Sequence, residues 1–239
     1  MLPLNGHSEL LGFTGISVSS IILRIQRFLV NGSDSSHPVQ PNLRVRRYEI
    51  VTLKEHINDI RDRLRDKKYP NEQAVRQGIV DPLLRRLGWP TDDTQVVYPE
   101  YPVGDGEVDY ALCHPASRPR VFIEAKRVGN IKGAEEQLFG YDFRIRVPIA
   151  VLTDGQQWRF FHPPGDGTWE ERKIRELDLI AGDSEENAQF LNRYLNYESI
   201  RSDEAVNAIR EDYDNLVRRR KIEGGLPEAW HTLVQEADE

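Results

Sequence analysis

The chain has 239 residues, of which 38% are hydrophobic and 30% charged, and it carries a formal net charge of −7 at pH 7. With only 17 glycines and 14 prolines, the composition excludes a collagen-like or low-complexity chain and suits a globular protein. The single cysteine, Cys113, excludes an internal disulfide framework and, with no Cys/His cluster, gives no sign of a zinc site. We therefore expect a protein of the reducing cytoplasm. No stretch is long and apolar enough to span a bilayer, so we expect no membrane partner.

The N-terminal segment, residues 1–50, differs from the rest in pattern. It holds a turn-rich block at 31–42 and no sustained periodicity, so we expect it to be poorly ordered. The first clear helix follows Thr52, which has capping-box spacing to Glu55. Its apolar residues recur at helical spacing: Leu53, Ile57, Ile60 and Leu64. Because Val51 directly precedes this helix, translation starting there at a non-AUG codon is one of two alternatives for the segment before it.

A second helical region is predicted at 71–89, "NEQAVRQGIVDPLLRRLGW". Its apolar face consists of Val75, Ile79, Leu83 and Leu87. Asp81 and Pro82 are expected to restart the helix as cap and first residue, and Gly88 to end it.

Three strand-like runs come next, "QVVYPEYPV", "GEVDYAL" and "RVFIEAK". Gly104-Asp105-Gly106 lies between the first two and is typical of a hairpin turn. A short helix at 132–143 then leads to the apolar run 147–153, which indicates a buried strand and hence a parallel crossover.

The remaining chain predicts a strand in "DGQQWRFF", an edge strand in "ERKIREL", and helices near 184–197, 202–221 and 226–236. The element order gives an α/β fold with a mixed β-sheet core flanked by helices. We expect the core to occupy residues 51–165, and an edge strand with a C-terminal helical extension to occupy 166–239.

The strand "RVFIEAK" carries the residues that indicate chemistry. Alternation places Glu124 and Lys126 on one face, with roughly 6.6 Å between their origins. If the preceding strand pairs with it antiparallel, Asp109 lies opposite Glu124. Two carboxylates and a lysine are the groups that hold Mg²⁺ and activate water for phosphodiester hydrolysis. A surface ion pair on an edge strand is the alternative, but the apolar residues before Glu124 favour an interior strand.

Five segments within residues 71–161 resemble, in the same order, the N-terminal nuclease domain of type I restriction enzyme motor subunits, in the PD-(D/E)xK superfamily. They are "NEQAVRQGIVDPLLRRLGW", "GEVDYAL", "VFIEAKR", "EEQLFGYD" and "VLTDGQQWRFF". The resemblance implies a restriction-endonuclease-like fold and a metal-dependent DNA endonuclease that uses Mg²⁺, with Mn²⁺ as a substitute. One departure is Val108, which stands where the family's motif has proline.

The resemblance also implies roles for particular residues. Asp109 and Glu124 would bind the metal, with Glu72 as a further ligand, and Lys126 would be the catalytic lysine. Gln137 and Tyr141 match a catalytic Gln-x-x-x-Tyr motif.

Each added residue has a structural alternative. Glu72 follows Asn71 in the first helical turn, where the helix dipole favours a carboxylate in any case. Gln137 and Tyr141 lie one helical turn apart, so ordinary packing against the sheet also explains them. The basic run 218–221 either ends a helix in solvent or contacts DNA phosphates.

No P-loop motif is present, so we expect no ATPase motor in this chain. A recognition or motor protein would then be supplied in trans, with DNA as the substrate. The alternative function is a non-catalytic module of nuclease fold that binds nucleic acid or a partner protein, and the net negative charge favours it mildly.

Overall fold

The computed structural model describes the backbone of residues 52–142 and 146–237, and the side chains of 52–140 and 146–226. The expectations for residues 1–50, including a start at Val51, lie outside the described residues. The described part belongs to one compact unit, Glu49–Glu239. The division of that unit at residue 165 stays a prediction.

A six-stranded mixed sheet forms the centre of this unit, with the strands in sequence order. The strands are β1 (Val97–Val103), β2 (Gly106–Cys113), β3 (Pro119–Ala125), β4 (Ile149–Thr153), β5 (Gln157–Phe161) and β6 (Lys173–Asp178). Neighbouring strands are antiparallel except β3 and β4, which are parallel. The predicted mixed α/β fold, the parallel crossover and β6 as the edge strand are thereby confirmed.

The first two helical regions begin as the sequence predicts. Helix α1 (Leu53–Arg65) starts with the predicted capping box of Thr52 and Glu55. Helix α2 (Glu72–Val75) is capped by Asn71, whose side chain accepts a hydrogen bond from the Ala74 backbone N–H at 2.8 Å.

The predicted restart of the second helix at Asp81 is wrong. Arg76–Val80 forms a π-helical turn that runs directly into α3 (Asp81–Arg86), and Asp81 has α-helical backbone angles. Pro82 has no N–H to donate to the carbonyl of Gly78, four residues earlier. The Tyr69 hydroxyl lies 3.5 Å from that carbonyl oxygen and donates to it. The chain therefore passes Pro82 without a break. Gly88 ends the helical region with φ +90°, as predicted.

The remaining helices are α4 (Glu135–Asp142), α5 (Trp169–Arg172), α6 (Ser184–Leu195), α7 (Tyr197–Arg201) and α8 (Glu204–Ala237). The prediction of separate helices at 202–221 and 226–236 is wrong, because α8 continues through Gly224 and Gly225. Each glycine costs a helix about 1 kcal/mol relative to alanine but does not break it. No helix of the described residues is long and apolar enough to cross a membrane.

The two faces of the sheet carry different cores. One face, here called the helical face, packs against α1, α2–α3 and α6–α8, with buried side chains that include Ile79, Trp158, Phe160 and Leu191. The opposite face, here called the α4 face, has a smaller core that includes Phe122, Leu138, Phe139, Leu152 and Phe161. In the described part of the chain, α4 is the helix that contacts β2 and β4 on this side. By alternation along β2 and β3, Asp109 and Glu124 share the α4 face with Ala111 and Phe122.

Candidate active site

The end of β3 positions the candidate site. The pairing of Tyr110 with Ile123, extended by one residue, places Asp109 opposite Glu124. At that point a side chain replaces the backbone as the hydrogen-bond acceptor for β3, because Asp109 Oδ2 accepts the Ala125 backbone N–H at 2.7 Å. On the other side of β3, the Lys126 N–H donates to the Thr153 carbonyl at 2.7 Å. The backbone that carries Glu124 and Lys126 is therefore held from both sides.

Glu124 and Lys126 form a close ion pair, in which Lys126 Nζ donates to Glu124 Oε1 at 2.6 Å. The Glu124 side chain is only 3% exposed, and its second oxygen, Oε2, is buried with no hydrogen-bond partner. Burial, followed by the negative charge of Asp109, raises the pKa of Glu124 to about 7, although Lys126 and the Asp109 backbone oppose the shift. A buried carboxylate oxygen without a partner is costly, and a cation would satisfy it.

Lys126 is held in its charged form. Burial by itself lowers the pKa of the Lys126 ammonium, but the hydrogen bond to Glu124 and the charges of Glu124, Glu72 and Asp109 raise the pKa on balance. Glu72, half-buried on α2, acts on the site through its charge, since it also raises the pKa of Asp109. The structure thus brings Glu72, Asp109, Glu124 and Lys126 into one electrostatic cluster.

Arg76 is a member of the cluster that sequence reasoning missed. Its Nη1 lies 3.2 Å from Asp109 Oδ1 and 3.4 Å from Glu100 Oε1, and its guanidinium lies 5.3 Å from the centre of the Tyr110 ring. Burial raises the pKa of Asp109, while the Ala125 N–H and the Arg76 charge lower it. The sequence offered one signal, since Arg76 follows Glu72 at i,i+4 on the same helix.

Gln137 and Tyr141 were predicted to reach the same site from α4. Gln137 is exposed on this helix, whereas the adjacent Leu138 and Phe139 are buried in the core of the α4 face. The side chain of Tyr141 lies outside the described residues. The catalytic roles of both residues stay predictions.

The carboxylates of the cluster fit Mg²⁺ better than zinc. Within residues 52–140 and 146–226, no group of three His, Cys, Asp or Glu side chains is arranged to hold a metal ion. Structural and catalytic zinc sites need three or four such ligands, whereas Mg²⁺ is commonly bound through one or two carboxylates and keeps several waters. Asp109, together with Glu124 and its unpartnered Oε2, meets that smaller requirement. Glu72 as an additional ligand stays a prediction.

Mixed sheet, flanking helices and parallel β3–β4 crossover together define an α/β domain of the restriction-endonuclease-like class. Residues 71–180 match the family described as the type I restriction enzyme R protein N terminus. The match covers just under half of the chain and includes all six strands and the whole candidate site. No curated protein and no solved structure matches the chain.

Proposed function

We propose that this domain is a metal-dependent DNA endonuclease that uses Mg²⁺, or Mn²⁺ in its place, to hydrolyse phosphodiester bonds. The observation that carries the proposal is the buried, unpartnered Oε2 of Glu124 beside Asp109 and Lys126. Lys126 pairs with the other oxygen of this carboxylate, and a cation bound between Glu124 and Asp109 would satisfy Oε2. The family match of residues 71–180 supports the same activity.

Asp109 and Glu124 are the residues that would hold the metal. The Ala125 N–H fixes Asp109 Oδ2, which leaves Oδ1 directed away from that bond. When bound, Mg²⁺ would lower the pKa of a coordinated water and offset the charge that grows on the phosphate. By holding the metal, Asp109 and Glu124 would fix the position of its positive charge relative to the phosphate.

Lys126 supplies positive charge and hydrogen bonds to the reacting phosphate. The neighbouring carboxylates raise the pKa of its ammonium group, which favours the protonated form and a role as a source of positive charge. In the reaction, a water oxygen bonds to phosphorus, the bridging P–O bond breaks, the leaving sugar oxygen takes up a proton, and the proton of the water passes to solvent. Lys126 orients the water and stabilises the oxygens that gain negative charge.

A second function, a non-catalytic module that binds nucleic acid or a partner protein, has one observation in its favour. Arg76 and Lys126 already pair with Asp109 and Glu124, so the two carboxylates are partly neutralised without a metal. In this alternative the ion pairs would be structural. In the enzyme, a recognition or motor protein supplied in trans would bring the domain to DNA in the cytoplasm.

Cleavage and metal binding by purified protein distinguish the two functions. The wild type is incubated with supercoiled and single-stranded DNA in Mg²⁺, Mn²⁺ or chelator, beside Asp109→Ala, Glu124→Ala and Lys126→Ala. We expect metal-dependent nicking by the wild type and a loss of about a hundred-fold or more in each variant. Calorimetry should give weaker metal binding in the two carboxylate variants.

The matched controls are Lys54→Ala and Glu185→Ala, which remove an exposed ion pair of 3.3 Å elsewhere in the fold. Both should cleave like the wild type, and melting curves should establish that all variants are folded. Full activity in any of the three site variants would refute the proposed roles. DNA binding without metal binding or cleavage would favour the non-catalytic module.

A further inference from the structure

We propose that Arg76 is a built-in counter-ion that holds Asp109 when the site lacks metal and moves onto Glu100 when the metal binds. This inference rests on the proposed function, since it concerns how the same site takes up its cation. It makes Arg76 a positioning residue for Asp109, with Glu100 as the second partner of its guanidinium.

The register of β1 and β2 brings the two partners of Arg76 together. Pro99 pairs with Tyr110 and Tyr101 pairs with Val108, so Glu100 lies across from Asp109. Since Asp109 in turn lies opposite Glu124, three carboxylates follow one another across β1, β2 and β3. Arg76 joins the first two, at 3.4 Å from Glu100 and 3.2 Å from Asp109, so a shift between them needs only a small movement.

The surroundings of Arg76 allow its guanidinium to turn from Asp109 to Glu100 but oppose its movement into solvent. Its side chain is 14% exposed, and the Tyr110 ring lies beside the guanidinium at 5.3 Å. The Tyr110 side chain also hydrogen-bonds the guanidinium, whereas Nε is buried without a hydrogen-bond partner, so the group does not make a full set of bonds. Glu100 has a side chain that is 60% exposed and a backbone φ of +52°, an unusual conformation for a residue other than glycine within a strand.

Arg76 and a metal would compete for the same atom. Asp109 Oδ2 accepts the Ala125 N–H, and Oδ1 is the oxygen that faces Arg76. A cation bound at Oδ1 would therefore be close to the guanidinium, and the like charges would repel each other. Moving Arg76 toward Glu100 relieves that repulsion and keeps the guanidinium paired.

This arrangement predicts opposite effects for two substitutions on metal affinity. Arg76→Met removes the competing cation, so Mg²⁺ and Mn²⁺ should bind more tightly, by about 5- to 50-fold, the usual range of coupling between sites. Glu100→Gln removes the second partner, so Arg76 stays on Asp109 and metal binding should weaken by a few-fold. In the double variant, Glu100→Gln should have no further effect, because it acts through Arg76.

Calorimetric titration of the full chain with Mg²⁺ and Mn²⁺ tests this cycle. Arg193→Met serves as the control, since it removes a different arginine–carboxylate pair, with Asp212 at 3.0 Å, and should leave the affinity unchanged. Arg76→Lys, which keeps the charge, should bind metal nearly as the wild type does. Arg76→Lys also serves as the second variant if Arg76→Met fails to fold. If the lysine variant bound metal much more tightly than the wild type, competition between the two charges would be contradicted.

The outcomes separate this inference from the proposed function. If the wild type binds no metal, both are wrong. If it binds metal but Arg76→Met binds equally or more weakly, Arg76 is a structural partner of Asp109, and the inference alone is overturned. A loss on Glu100→Gln that persists in the Arg76→Met background would show that Glu100 acts on the metal directly, and that result also overturns it.

Discussion

The two faces of the sheet differ in what they bury. On the helical face, side chains such as Trp158, Phe160 and Leu191 form an apolar core beneath several helices. The α4 face also has an apolar core, but it contains buried charges: Glu124 with Lys126, and Glu135, 2% exposed, with Arg159. Buried ion pairs contribute little net stability, because desolvation offsets their attraction. The apolar core of the helical face therefore supplies the stability that lets the α4 face hold costly buried charges.

This division has a physical basis in β3. The strand presents Val121 and Ile123 to the helical face, and Phe122 and Glu124 to the α4 face. The same four residues, 121–124, therefore anchor the core and carry the candidate metal ligand. Substitutions on the two sides of the sheet should affect different properties, and the following predictions measure that separation.

The largest effect on stability is expected from Phe160→Ala on the helical face. Phe160 is fully buried and packs against Tyr194 with ring centres 5.4 Å apart, so its removal leaves a cavity. We expect the free energy of unfolding to fall by about 3–5 kcal/mol, measured by urea denaturation. Leu226→Ala, at a position that is 57% exposed, is the control and should change stability by less than about 0.5 kcal/mol. Equal stability of the two variants would contradict the assignment of the main core to the helical face.

A smaller effect with a different pH dependence is expected from Glu124→Gln on the α4 face. The pKa of Glu124 is about 7 in the folded protein, against an ordinary value of 4.5. The folded state then holds the proton more tightly, so the wild type loses stability as the pH rises from about 5 to 8. Without metal, the glutamine variant does not lose stability in this way. Its free energy of unfolding should therefore rise relative to that of the wild type by up to about 3 kcal/mol over that range.

The same titration predicts how metal binding depends on pH. Because a protonated carboxyl is a poor ligand, Mg²⁺ should bind the wild type more tightly at pH 8 than at pH 6. Unfolding curves at several pH values, with calorimetry at pH 6 and 8, measure both effects. Glu185→Gln, at an exposed ion pair, should follow the pH profile of the wild type. If the stability of Glu124→Gln depended on pH in the same way as that of the wild type, the pKa of Glu124 would not be raised, and this prediction would be wrong.

Much of the fold could be predicted from local sequence patterns. Alternating apolar residues predicted the strands, and Gly88 and Gly104, with φ of +90° and +64°, stand at turns that favour glycine. The two errors concern helix continuity. Pro82 and the pair Gly224-Gly225 are local signals for a break, but a π-helical turn and a long helix carry the chain through them.

The candidate site was partly accessible from sequence for the same reason. Asp109 and Glu124 belong to neighbouring strands joined by a short connection, so strand alternation suffices to place them opposite each other. The contact of Arg76 with Glu100 could not be predicted, because it joins residues of a helix and a strand and depends on the β1–β2 register. Asp154 was also missed: it is buried, yet it accepts backbone N–H bonds from Gly129, Gln156 and Gln157, and so shapes a loop.

The smallest effects are expected on α4, from Gln137→Ala and Tyr141→Phe. The two residues lie one helical turn apart on the helix that follows β3, so a shared role near the phosphate is compatible with their spacing. An amide or a hydroxyl can donate to a phosphate oxygen but does not replace a carboxylate as a metal ligand. We expect metal binding to stay unchanged and cleavage to slow by about 10- to 100-fold, roughly 1.4–2.7 kcal/mol of transition-state stabilisation.

The position of Gln137 lets this test separate an effect on cleavage from an effect on stability. Its side chain is exposed, whereas Leu138 and Phe139 are buried, so Gln137→Ala should lower the free energy of unfolding by less than about 0.5 kcal/mol. Glu136→Ala, an exposed neighbour on the same helix, is the matched control and should cleave at the wild-type rate. Gln137→Ala should be more damaging than Tyr141→Phe, because the phenylalanine keeps the aromatic ring. Single-turnover cleavage at saturating metal separates the chemical step from binding. Wild-type rates in both variants would reduce the pair to ordinary surface and packing residues, and would confine the chemistry of the α4 face to Asp109 on β2 and to the end of β3.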